Sequence, residues 1–180
     1  MKDREGVMIK VAVLTLSDRG AKGLRKDAGG PAIERLMRKI DAEVVSYDIL
    51  PDEKALIRKK LISLCRRKID LVITTGGTGL SPRDVTPEAT REVIQREIPG
   101  MAEAMRLEGL RKTPFAMLSR AVAGIRGGTL IINLPGSPAA VEEGLSAILP
   151  VLPHAIEKIK GSTAECAQPP SPLPADAGRP

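Results

Sequence analysis

One tyrosine, one phenylalanine and no tryptophan occur in 180 residues, so the core has to be aliphatic. An aromatic platform for stacking nucleic-acid bases is not expected. Cysteine is nearly as scarce. Cys65 and Cys166 make no disulfide framework, and neither has a histidine or a second cysteine at metal-ligand spacing. The single histidine, His154, lies in a helical stretch near the C-terminal end and reads as a surface or packing residue. A nucleophile elbow with a Ser-His-Asp order, a Cys-His nucleophile and a His-rich metal site are therefore absent. The apolar run Val11 to Leu16 is too short to span a bilayer, and the charged start Met1-Lys2-Asp3-Arg4-Glu5-Gly6 is not followed by a secretory apolar region. A chain in a reducing cytoplasm with no membrane partner is expected. Lysine and arginine exceed acidic residues by six, but the charges interleave, as in Arg91-Glu92 and Arg96-Glu97, and no basic tract exceeds three residues. That excess reads as a solvated surface with a mild pull on anionic ligands, and no nucleic-acid motif stands behind it.

What the chain does have is alternation. Ile9 to Ser17, Glu43 to Leu50 and Asp70 to Thr75 have strand character, and the first is mostly apolar, like a buried parallel strand. Between them, Pro31 to Ile40 and the segment from Pro51-Asp52-Glu53 through Leu64 repeat apolar residues at helical spacing. Thr86-Pro87-Glu88 pairs an N-cap residue with a first-turn proline, which predicts a helix to about Arg96, broken by Pro99-Gly100 and resumed over Met101 to Arg111. Ala121 to Ile125 and Thr129 to Leu134 flank Gly127-Gly128 and read as a hairpin. A last helix, Ala139 to Lys160, should kink or split at Pro150 and Pro153. Met37, Met101, Met105 and Met117 fall at helical spacings, as core or interface filler. The expected fold is a three-layer, doubly wound α/β domain over 1–161, with a mostly parallel sheet and one antiparallel hairpin near its edge. Residues 162–180 are proline-rich and expected to be a disordered tail.

The most telling stretch runs from Asp70 to Pro87. An apolar strand enters Thr75-Gly76-Gly77-Thr78-Gly79, then Ser81-Pro82-Arg83-Asp84, and a helix follows at Thr86-Pro87. No Gly-Lys-Ser/Thr follows, so this is not a Walker loop, and the third glycine of the dinucleotide fingerprint is missing. Three glycines and three hydroxyls still exceed what a tight turn needs, and phosphate binding leads. A carboxylate repels phosphate, so Asp84 needs a reason: it caps the turn before Thr86, or it holds a divalent cation. Asp52 has the same two readings, as a helix N-cap after Pro51 or as a ligand. Together, at the ends of neighbouring strands, they make a magnesium pair.

Three further loops leave strand ends. Ser17-Asp18 holds a ligand or forms a local turn. Asn133, Pro135, Gly136 and Ser137 bind a ligand or make a rigid turn with Ser137 as N-cap. Ser119 donates to a phosphate or caps its helix. With no nucleophile–histidine pair, the chemistry open to such a site is phosphoryl or nucleotidyl transfer, driven by positioning and charge neutralisation. Arg83 is a further candidate for charge stabilisation.

In these motifs the chain resembles the molybdopterin adenylyltransferase family of molybdenum-cofactor biosynthesis, including the G domain of the fused plant and animal proteins. The resemblance spans about Lys10 to Gly161 and rests on Thr15-Leu16-Ser17-Asp18, Leu50-Pro51-Asp52-Glu53, the Thr75 to Glu88 stretch, Thr113 to Arg120 and Ile132 to Gly136. It implies Mg²⁺-dependent transfer of AMP from ATP to the terminal phosphate of molybdopterin, with release of pyrophosphate. It implies Asp52 and Asp84 as the catalytic, cation-holding pair, Thr78 and Ser119 at the pterin's phosphate end, and Ser17, Asp18 and the Pro135-Gly136 turn on the nucleotide side. A homotrimer and hand-over to a molybdate-insertion protein are implied as well. The alternative is a non-catalytic molybdopterin or nucleotide carrier of the same fold. One departure is Gly109, where family members commonly carry a serine that helps hold the pterin phosphate.

Overall fold

The computed structural model describes residues 8–24 and 29–163. The charged start, Cys166 and the tail from 164 onward lie outside them. Among the described residues, six strands form one sheet in the order β2-β1-β3-β6-β5-β4. These are β1 (Ile9–Leu16), β2 (Ala42–Leu50), β3 (Leu71–Thr75), β4 (Arg96–Glu97), β5 (Ala123–Arg126) and β6 (Thr129–Leu134). The first three and β6 pair in parallel, and β6-β5-β4 pair antiparallel at one edge.

The apolar runs are continuous because both faces of the sheet are covered. Val11, Val13, Leu71, Ile73, Leu130 and Ile132 point to one core. It is closed by α2 (Gly29–Met37), α5 (Pro99–Leu110), α6 (Pro138–Ile148) and α7 (Leu152–Ile159). Ala12, Leu14, Leu16, Val72 and Ile131 point the other way, onto α3 (Lys54–Arg66) and α4 (Thr86–Arg91). The result is the expected three-layer sandwich. A four-residue helix, α1 (Asp18–Ala21), follows β1.

Four local expectations fail, each for a tertiary reason. The helix from Thr86 stops at Arg91 rather than Arg96. Val93 is drawn into the second core, and the chain pairs with β5 instead, with Gln95 and Ile98 donating their N–H groups to Ile125 and Ala123. Pro99 does not break a helix but begins one, at a position where its missing N–H costs nothing. Thr86 is not a cap; its hydroxyl donates to the Gly76 carbonyl (3.0 Å). Met117 is 61% exposed on a 3₁₀ turn, Pro114–Leu118, so of its two readings, core or interface filler, the core one fails within this chain, while Met37, Met101 and Met105 are buried. The last helix does split as expected, with a 3₁₀ turn, Leu149–Val151, between α6 and α7.

Candidate active site

β2, β1, β3 and β6 are parallel neighbours, so the loops after Leu50, Leu16, Thr75 and Leu134 all leave the same end of the sheet. The chain passes from β1 to β2 on one side and from β2 to β3 across to the other. The crevice beyond such a switch is where open α/β sheets take ligands.

The floor of the crevice is built from glycine by necessity. Gly76 (φ +98°) lies so close to β1 that a Cβ would collide with the Leu16 carbonyl oxygen. Gly77 (φ +62°) would drive a Cβ into the Thr86 hydroxyl and to 2.9 Å from Asp52 Oδ1. Thr86 ties off the loop, its N–H donating to the Gly77 carbonyl (3.2 Å). The N–H groups of Gly77, Thr78 and Gly79 then find no acceptor among the described residues, while all three residues line a cleft of about 490 Å³. Unpaired N–H groups in succession form an anion-binding concavity.

The far walls of the cleft come from α5 through Met105, Arg106 and Gly109, from the Pro114–Leu118 turn, and from the start of α6. Ser119, Pro135, Gly136 and Ser137 line it too. Ser137 caps α6, accepting from the Ala140 N–H (3.3 Å), so it serves as N-cap and as cleft wall together. The Ser119 hydroxyl accepts a long hydrogen bond from the Ala121 N–H (3.4 Å) and faces the same space. At Gly109 a Cβ would lie 2.8 Å from that of Ala116, so a larger residue there requires the Pro114–Leu118 turn to move.

Asp52 is not the cap of α3; that position belongs to Glu53, which makes no side-chain cap bond. The carboxylate turns instead to β1, where Oδ2 accepts from the Asp18 N–H (3.0 Å). Its Oδ1 is buried behind Gly77 with no hydrogen-bond partner. Burial, with the charges of Asp18 and Asp84 added, pushes its carboxyl above the ordinary range against the hydrogen bond from Asp18. Asp84 lines the cleft beside Gly79, and its Oδ2 accepts from the Ser81 N–H (2.8 Å). It fills the turn-capping role and faces the cleft at once. Among the described residues no cluster of three or more His, Cys, Asp or Glu side chains is placed to hold a metal ion. The orphaned, buried Asp52 oxygen nonetheless fits a hard cation, which needs only one or two protein carboxylates.

Other expected residues are engaged elsewhere. The Ser17 hydroxyl caps α1 by accepting from the Gly20 N–H (3.0 Å). Both Asp18 oxygens are taken by Arg83, through Nη2 to Oδ1 (2.8 Å) and Nε to Oδ2 (3.0 Å), and this pairing holds Asp18 below the usual carboxylate range. The Arg83 guanidinium therefore points at β1's end rather than into the cleft. Thr75 is buried, donating to the Pro135 carbonyl (2.7 Å), and so fixes that turn. Asn133 is 0% exposed. Its amide donates to Thr74 and Thr90 and accepts from the Val122 N–H, so it joins β6 to β3, α4 and the approach to β5 and does not reach the cleft.

Arg120 carries the most structure and was not legible as a site residue. Its N–H donates to the Thr78 carbonyl (2.9 Å), Nε to Gly79 (2.7 Å), Nη2 to Asp84 (2.6 Å) and Nη1 to the Glu88 carboxylate. Burial alone would raise the Glu88 carboxyl, but a backbone hydrogen bond and Arg120 hold it below the usual range. One guanidinium thus spans both ends of the 79–84 loop. The signal available in the sequence was indirect: carbonyls turned aside by a glycine-rich loop need donors from elsewhere.

A family model described as "Probable molybdopterin binding domain" matches residues 12–154. A protein named molybdopterin adenylyltransferase from Helicobacter pylori (strain J99) is 45% identical over 157 residues, covering 86% of this chain and 89% of its own. Its Escherichia coli (strain K12) namesake is 36% identical over 174 residues, covering 88% and 89%. The crystal structure of the molybdopterin biosynthesis enzyme MoaB from Thermus thermophilus superposes with a TM-score of 0.81 at 54% identity, over 86% of this chain and 98% of that one.

Proposed function

The chain belongs to the family of probable molybdopterin binding domains, and from that premise we propose that it is a molybdopterin adenylyltransferase that moves AMP from ATP to the terminal phosphate of molybdopterin and releases pyrophosphate. The observation that carries this reading is a contradiction in charge. The unpaired N–H groups of Gly77, Thr78 and Gly79 invite a phosphate, yet Asp84 lies beside them and the orphaned Asp52 oxygen lies behind Gly77. Anion-binding N–H groups and carboxylates share a site when a hard cation comes between them. Asp52 and Asp84 would hold Mg²⁺, which when bound offsets the repulsion between two polyanionic substrates.

The remaining work falls to the chain's own groups. The Thr78 and Ser119 hydroxyls and the glycine-loop N–H groups receive the pterin's phosphate end. Ser17, Asp18 and the Pro135-Gly136 turn, carried by the ends of β1 and β6, stand on the nucleotide side. Arg83 keeps the Asp18 loop closed against the glycine loop. The nucleophile is a phosphate monoester, mostly ionised at neutral pH. No general base is required, in keeping with a sole histidine on α7, outside the cleft. Catalysis is then alignment and charge compensation.

No helix among the described residues is long and apolar enough to cross a membrane. The same family resemblance supports a cytoplasmic homotrimer that hands adenylyl-molybdopterin to a molybdate-insertion protein. The test is to incubate the protein with molybdopterin, ATP and Mg²⁺ and follow pyrophosphate and adenylyl-molybdopterin. Formation of both is expected; binding of molybdopterin without pyrophosphate release would leave the carrier reading in its place.

A further inference from the structure

We propose that Arg106 grips the terminal phosphate of the pterin and makes the cleft selective for the phosphorylated form. This deepens the adenylyltransferase reading and rests on it. Arg106 is the one lysine or arginine among the described residues lining the cleft, which two acidic residues, Asp84 and Glu143, line as well. The N–H groups of the glycine loop offer partial charges only, and a cation on Asp52 and Asp84 leaves Glu143 uncompensated, so a second full charge favours entry of a doubly charged phosphate.

The side chain is half-buried on α5, between buried Met105 and the cleft-lining Gly109. Nη1 donates long hydrogen bonds to the carbonyls of Ser119 (3.4 Å) and Ala121 (3.3 Å). These bonds hold the guanidinium beside Ser119, which lines the same space. Nε and Nη2 have no partner among the described residues, and no carboxylate there lies within ion-pair distance of Arg106. Neither nitrogen is buried away from solvent, so both are open to a ligand entering the cleft. Its planar fork suits the bidentate geometry of a phosphate. The Pro135-Gly136 turn of the nucleotide side lines the same cleft, so what assigns the phosphate to the pterin is the bond of Arg106 to the Ser119 carbonyl, at the pterin's phosphate end.

The test is steady-state kinetics on Arg106→Met and Arg106→Lys, with thermal midpoints recorded for both. Arg106→Met should raise KM for molybdopterin about 10- to 100-fold, the loss of a charge-assisted contact, with KM for ATP unchanged. Arg106→Lys should recover part of that loss, because it restores the charge without the fork. Inorganic phosphate should compete with molybdopterin in the parent protein and lose most of its effect in Arg106→Met. A KM for molybdopterin that does not move, or a rise in KM for ATP instead, overturns the assignment. If the parent protein itself releases no pyrophosphate, the adenylyltransferase reading fails. Equilibrium binding of inorganic phosphate then decides Arg106 alone: weaker binding by both variants upholds it, and equal binding overturns it.

Discussion

Asp18 and Asp52 hold each other across the ends of β1 and β2: the Asp18 N–H donates to Asp52 Oδ2 (3.0 Å), and the Asp52 N–H donates back to Asp18 Oδ1 (3.1 Å). Each loop thereby satisfies the other's backbone. The exchange leaves Asp52 Oδ1 as the unused atom, aimed at the glycine loop. Asp52 is held in place by a structural bond on one oxygen and offers the other.

That arrangement costs stability, and Asp52→Asn should recover it. The folded carboxyl titrates above its unfolded value of about 3.9, so its favourable contribution is complete below that pH and is lost as pH rises through the folded value. At pH 7 the charged Asp52 is a liability. Asp52→Asn should be more stable there by about 0.5–1 kcal/mol after solvent screening, with the difference shrinking toward pH 3. Urea unfolding at the two pH values measures it. Pyrophosphate release should fall about 100-fold or more. A less stable variant at pH 7 would contradict the burial argument.

Asp84→Ala should keep the fold and end turnover. The structural loss is one hydrogen bond to the Ser81 N–H, about 0.5–1.5 kcal/mol. Circular dichroism and pyrophosphate assay together separate the two effects. Full activity in a folded variant would remove Asp84 from the cation pair.

Gly76→Ala should destabilise the protein by about 2–4 kcal/mol, from left-handed backbone plus overlap with the Leu16 carbonyl. The urea midpoint reads this directly. A cost below about 0.5 kcal/mol would mean that β1 yields at that point.

Arg120→Lys keeps a positive charge but loses the fork that reaches Gly79, Asp84 and Glu88 together. A loss of about 1–3 kcal/mol is expected for this partly exposed network. Amide hydrogen exchange should quicken across residues 79–88 while β1 and β3 stay protected. Uniform exchange throughout the sheet would instead point to a global effect.

The layers and the glycine loop were legible because each is a local pattern. A run such as Val11 to Leu16 fits a strand covered on both faces, and three glycines among hydroxyls mark a loop whose N–H groups are left free. What escaped depends on partners far along the chain. Gln95 and Arg96 look helical until the edge of β5 offers pairing, and Asn133 looks like a ligand group until Thr74 and Thr90 consume its amide. Asp52 carries a good cap signature, yet the reciprocal bond with Asp18, 34 residues away, outcompetes it. Arg106 and Arg120 sit in ordinary helical and loop contexts, and only the folded chain turns them to the glycine loop and the cleft.

The cleft draws its walls from residues spread between Gly77 and Gly144, and β3 is closed on its second side only when β6 arrives, as with Leu71 and Leu130. A growing polypeptide therefore has its glycine loop long before it has anything to enclose. During synthesis the protein is unable to enclose its substrate until the chain has emerged as far as Gly144, so the pterin would meet a cleft only after β6 and α6 are in place.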